Sequence, residues 1–309
     1  MSNEQALPKD SLFEMGEDLR SGNVHSECVF CGGIPLTKQH IIGDWTKKII
    51  PPNSDKFLHS VNLNTVNEET GELIHIPFAK GKQTGNGSWS SQRIKCVCAK
   101  CNNEWMNDLE KPVMWYIEYL ALSPINSPIK SIKGNLLLPW MALVTIIIKQ
   151  MDAVTSAFPS ERCFEFKRDK MPGSDWKMWI GIIEGESFRN AWHSSFPSQD
   201  DNIPDSAFCC WCIGKVAFLT FHTGNSSKME TVSNTVPLYG FREVVRNSNF
   251  FIKFNPTMTN VFFGELLINK LKMLVGLTRV NSLTAFDWFT FNECNENPTN
   301  KSDGRFGEG

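Results

Sequence analysis

Four cysteines constrain this chain more than any other feature. Cys28-Val-Phe-Cys31 and Cys98-Ala-Lys-Cys101 form two C-x2-C pairs. Four thiolates satisfy one tetrahedral Zn²⁺, and each pair closes a tight turn around it, so the spacing reads as a structural zinc site. Gly32-Gly33 suits the first turn, because glycine reaches backbone angles closed to other residues. Cys96 offers a rival register, Cys96-x-Cys98. The Cys98/Cys101 spacing mirrors the first pair and leaves Cys96 as a strand residue. The chain has ten cysteines in all. Met1–Arg20 is polar and acidic with no apolar h-region, so a reducing cytoplasm with metal-bound thiols accounts for them more simply than disulfides.

Between the pairs lies Leu36-Thr37-Lys38-Gln39-His40, and the second pair runs on as Cys98-x2-Cys101-Asn102-Asn103-x-Trp105-Met106-x2-Leu109-Glu110. This pattern, over residues 25–112, resembles the HNH endonuclease family, in particular the group with zinc-binding cysteine pairs and a C-x2-C-N ending. The resemblance implies an α+β chain with an N-terminal zinc-bound treble-clef or ββα-metal module. By position it gives His40 the role of general base, and makes Gln39 and Asn102 ligands of a catalytic Mg²⁺ or Mn²⁺. The implied substrate is DNA, and the implied setting is defence against foreign DNA.

The chemistry agrees with these residue types. An imidazole titrating near neutrality can take a proton from water. A divalent cation can stabilise charge on a phosphoryl group and its leaving oxygen. The family has an acid where Gln39 stands, however. An amide oxygen can bind the cation but brings no charge, so affinity should fall. Asp44 and Glu104 are the nearby carboxylates that could replace it. Asn102 also has a structural alternative, since asparagine at a helix start often caps backbone N–H groups.

The net charge of −2 gives no signal for nucleic acid. Across residues 28–111, ten Lys/Arg against eight Asp/Glu leave only +2. DNA contact therefore falls to a local patch, with Lys47, Lys48, Arg93 and Lys95 as its core and Lys80 and Lys82 beside it. The longest apolar run, Leu136–Ile148, is too short to cross a bilayer.

The expected organisation is a tail over 1–24, the zinc module over 25–112, an α+β domain of mixed helix and antiparallel sheet over 113–292, and a disordered polar tail over 293–309. Within the 41–95 insertion, Lys56–Val66 and Glu72–Ala79 alternate as a strand pair, and Gly81–Ser91 reads as a loop. A helix from Asn102 buries Trp105, Leu109, Val113 and Ile117, with Pro112 ending it, kinking it or starting a second helix. Leu138–Ala153 reads as a buried helix. Cys163–Arg168, Trp176–Glu184, Ala207–His222 and Phe250–Phe254 read as strands, and Val261–Val275 as a helix. In a strand Cys210 and Cys212 share a face that Cys209 does not, so these thiols read as core. The second half could mediate a homodimer or bind a partner protein. Two readings compete with the nuclease: a decayed, zinc-stabilised nucleic-acid-binding protein, and a nuclease effector held silent by its C-terminal half.

Overall fold

The computed structural model describes residues 25–49, 56–66, 73–77, 82–86, 93–124, 131–150, 158–182, 191–196, 206–251 and 285–292. For the strands at 56–66, 73–77, 82–86, 191–196 and 285–292 it describes the backbone alone, His193 apart. The tails at 1–24 and 293–309 and the helix expected at Val261–Val275 lie outside the described residues. The fold is α+β, and all strand pairs among the described residues are antiparallel.

Strands β1 (Leu36–His40) and β5 (Arg93–Cys98) form a two-stranded sheet. The chain leaves β5 directly into a continuous helical run. It comprises a short turn, Ala99–Cys101, a π-helical segment, Asn102–Met106, and α1 (Asn107–Leu122). The 41–92 segment between β1 and β5 contributes β2 (Lys56–Val66), β3 (Leu73–Pro77) and β4 (Lys82–Asn86) to a larger, nine-stranded sheet.

That sheet also takes β7 (Trp176–Ile182), β8 (Ala191–Phe196), β9 (Ser206–Ile213), β10 (Val216–His222), β11 (Arg242–Glu243) and β13 (Ala285–Asn292). Strands β9 and β10 form a hairpin through Gly214, whose φ of 59° is left-handed, and both are buried along their whole length. Burial on both faces explains why their sequences run apolar instead of alternating. The thiols of Cys209, Cys210 and Cys212 are buried there as small apolar groups, and burial pushes Cys210 up to about 12.

Helix α2 (Gly134–Lys149), preceded by the short β6 (Ser131–Lys133) and its partner β12 (Asn249–Phe251), lies against α1 and β10. It is apolar nearly all round, as a helix covered on several sides must be. Trp140 packs edge-on against Phe218 at 5.2 Å and Trp211 at 6.3 Å. Thr145 Oγ1 and Thr220 Oγ1, 2.8 Å apart, add a buried hydrogen bond between α2 and β10. Among the described residues a further helix, α4 (Ser226–Thr235), is capped by the Asn225 side chain. No helix among the described residues is long and apolar enough to cross a membrane.

Several expectations change. Cys163–Arg168 is not a strand but lies within α3 (Ser160–Asp169). Cys163 and Phe166 are its buried residues, three apart on one helical face. Over so short a run, Phe164-x-Phe166 imitates strand alternation. Residues 82–86, expected in a loop, are strand β4, because pairing with β2 outweighs a weak intrinsic preference. Pro112 and Pro139 both lie inside helices that continue through them. Flanking apolar burial, which leaves Val113 and Trp140 at 0% and 1% exposure, offsets the roughly 3 kcal/mol that an internal proline costs. The boundary expected at 112 falls inside α1, and one hydrophobic core takes in residues from both sides of it.

Candidate metal-binding and catalytic site

The first cysteine pair is built by a backbone knuckle. Cys31 N–H donates to Cys28 O at 3.1 Å, Gly32 N–H to the same oxygen at 2.7 Å, and Cys28 N–H to Gly33 O at 3.1 Å. Gly32 turns the chain at φ 68°, an angle costly to any residue with a Cβ. Val29 N–H donates to Cys96 O at 3.0 Å and so docks the knuckle on β5. Cys98 ends β5 and caps the helical run, its sulfur accepting Cys101 N–H at 3.5 Å.

The four sulfurs of Cys28, Cys31, Cys98 and Cys101 lie within 4.8 Å of one another, and among the described residues this is the one group of three or more His, Cys, Asp or Glu side chains placed to share a metal. Cys31 Sγ is 3.6 Å from Cys98 Sγ and 3.5 Å from Cys101 Sγ. A tetrahedral ion with metal–sulfur bonds of ~2.3 Å sets its sulfurs about 3.8 Å apart, so the donor set fits zinc. Burial raises Cys31, but the Gly33 backbone and the other three thiols outweigh it and bring it to about 7. Burial pushes Cys101 up to about 12.

Two contributions to this cluster come from outside 25–112. Phe166 of α3 packs on Trp105 at 6.1 Å and on Phe30 at 6.5 Å, and Phe30 meets Trp105 edge-on at 5.0 Å. Burial lowers the ammonium of Lys167, but Cys101 and Cys31 outweigh it and raise it. A cation beside a tetrathiolate metal offsets its excess negative charge. Sequence reading missed Lys167 because it took this helix for a strand.

His40 ends β1 opposite Arg93, and Lys38 stands opposite Lys95 two positions away. In a strand these alternate residues share a face. Arg93 Nε donates to His40 Nε2 at 2.9 Å, so that nitrogen carries its lone pair. Asp44 Oδ1 lies 3.2 Å from the same nitrogen. Lys47 beside Asp44, with His40 and Arg93 nearby, holds its carboxyl below the usual range. Lys48, Arg93 and Lys95 are exposed.

Gln39 faces the other way. Its Nε2 donates to His40 O at 2.8 Å, and the side chain lines a small cavity together with Asn102, Asn107, Glu110 and Trp140. His40 does not line that cavity. Asn102 is not the N-cap of the helical run: Cys98 is, and Asn102 already has helical angles. It opens a π-helical turn, a distortion that recurs at functional sites. Of the two carboxylates that could replace the missing acid, Asp44 pairs with His40 and Glu104 is exposed away from the cavity.

The carboxylate that does enter is Glu110, which was quoted in the motif but given no role. Trp45 Nε1 donates to its Oε1 at 2.9 Å. Burial raises Glu110, against the pull of the Trp45 and Trp140 indoles and the Gly43 N–H. Its signal in the sequence was an acid at i+8 from Asn102, beside the apolar stripe. Gly43 leaves no room for a side chain here. An added Cβ would meet Glu110 Oε1 at 2.0 Å and Trp45 Nε1 at 2.3 Å. Gly43→Ala should therefore part Trp45 from Glu110 and cost about 1–3 kcal/mol, read as a lower denaturant midpoint.

No protein-family model, curated protein or solved structure matches this chain.

Proposed function

We propose that the protein is a zinc-scaffolded, divalent-metal-dependent endonuclease of the HNH type that hydrolyses phosphodiester bonds in DNA. The observation that carries the reading is the strand–strand–helix unit on the four cysteines. It brings Gln39 of β1 and Asn102 of the π-helical turn to one cavity, with His40 at the adjacent strand end. Zinc held by Cys28, Cys31, Cys98 and Cys101 fixes β1, β5 and the helix as a treble-clef-like frame. A Mg²⁺ or Mn²⁺ held by Gln39 and Asn102 would supply charge stabilisation to the phosphoryl group.

The remaining steps belong to the chain's own groups. His40 accepts a proton from the attacking water at Nε2, the nitrogen that Arg93 keeps deprotonated. An incoming phosphate competes for the Arg93 guanidinium, which binds phosphate oxygens well, and its departure exposes the lone pair. Asp44, 3.2 Å away, then stabilises the imidazolium. Lys38 and Lys95, paired two positions from His40 and Arg93, and the exposed Lys48 would contact the DNA backbone. In a cell this activity would serve against foreign DNA.

The test is nicking of supercoiled plasmid by the zinc-loaded full chain, with Mg²⁺ or Mn²⁺ and with chelator. Nicking that needs the divalent ion supports the reading, and intact plasmid under all conditions opposes it. A second reading, a non-catalytic nucleic-acid-binding protein, draws on the internal bonds that occupy the site: Gln39 on His40 O and Arg93 on His40 Nε2. It predicts salt-sensitive DNA binding without cleavage.

A further inference from the structure

We infer that Glu110 supplies the negative charge of a hard divalent-cation site whose other protein ligands are the amide oxygens of Gln39 and Asn102. The inference rests on the reading of those two residues as cation ligands, and it adds the carboxylate which that reading lacks.

The cavity they share measures about 20 Å³, room for one water-sized particle. Its polar lining is Gln39, Asn102, Asn107 and Glu110, and the rest of its wall is largely apolar, with Leu143 and Ile147 of α2. A carboxylate set among apolar groups needs either neutralisation or a counterion. Trp45 and the Gly43 N–H serve one side of Glu110. No described lysine or arginine lines the cavity to balance its charge.

The amides are disposed to help. Gln39 commits its NH₂ to His40 O, which leaves its own carbonyl oxygen as an acceptor. The Asn102 side chain has no hydrogen bond among the described residues. Carbonyl and carboxylate oxygens are the ligands that Mg²⁺ and Mn²⁺ select. Trp140, 1% exposed, lines the cavity and adds its indole to the groups that draw on Glu110.

The probe is Mn²⁺ followed by electron paramagnetic resonance on the zinc-loaded full chain. Wild type binds one Mn²⁺ beyond the zinc. Glu110→Gln keeps its zinc and weakens Mn²⁺ by roughly tenfold or more, while Glu104→Gln, which removes an exposed charge nearby, leaves affinity unchanged. Gln39→Glu places a second carboxylate in the cavity and tightens Mn²⁺ by about tenfold. If Glu110→Gln fails to fold, Glu110→Asp decides the matter: its shorter carboxylate keeps the charge but weakens Mn²⁺, and an unchanged affinity overturns the role of Glu110. Equal affinity in wild type and Glu110→Gln, with loss in Asn102→Leu, overturns the role of Glu110 and leaves the amide ligands standing. No Mn²⁺ binding by wild type or by Gln39→Glu overturns both, and makes the cavity a water site only.

Discussion

Serine in place of Cys98 is expected to abolish metal binding and unfold the β1–β5 unit. Serine is a preferred helix N-cap, so the hydrogen bond to Cys101 N–H survives the change and the lost thiolate is isolated as the cause. The four thiolates tie the knuckle, β5 and the helical run together, while Phe30, Val97 and Trp105 join the unit to the common core. Its sheet has two strands, and such a pair is marginal in water without further packing. Binding of a structural zinc is worth about 10–16 kcal/mol in comparable small modules, and that free energy is folding free energy. The effect extends beyond the module, because Phe166 and Lys167 of α3 rest on Trp105 and the sulfurs. The checks are zinc content and limited proteolysis. The account predicts no bound zinc and rapid cleavage within residues 25–110. A variant that keeps native protease resistance without zinc would refute the structural role of the cluster.

Trp140→Ala is the second large effect, at about 3–5 kcal/mol of lost stability. The indole is 1% exposed and joins α2 to the buried hairpin through Phe218 and Trp211. Its removal leaves a cavity that the stacked Trp211 and Phe218 rings, 5.4 Å apart, cannot fill without leaving each other. A loss of that size is a large part of the 5–15 kcal/mol that folded domains typically have. It should show as a sharply lowered denaturant midpoint with the slope unchanged. Trp140→Phe, which keeps the edge contact, should lose much less. A midpoint unmoved by the alanine would mean that α2 does not cover the hairpin as described.

The sequence disclosed what depends on local spacing. Cys28, Cys31, Cys98 and Cys101 could be paired because two short motifs each build half of a tetrahedron, and Gly32 could be placed in the first turn. The strand pair at Lys56–Val66 and Leu73–Pro77 was legible from alternation. Contacts between distant segments were not legible. Glu110 lines the same cavity as Gln39, with the turn at Gly43–Trp45 packed on α1, and no periodicity reports that arrangement. Arg93 was read as a phosphate contact, and the bond that its Nε donates to His40 was not foreseen. Reading Cys163–Arg168 as a strand hid Lys167, and with it the tie between the second half of the chain and the cysteine cluster. The site is therefore not confined to the motif, since α2 and α3 supply part of its walls.

The central claim is that His40 removes a proton from water during phosphodiester hydrolysis. The most direct measurement is cleavage of supercoiled plasmid in Mg²⁺ or Mn²⁺ by wild type and by His40→Ala, matched for zinc content and circular dichroism. Loss of a positioned general base costs about 10²–10⁴ in rate. The account predicts that nicking by wild type falls by that factor in the variant while DNA affinity is retained. Equal nicking by the two proteins, or none by wild type at full zinc occupancy, would contradict it.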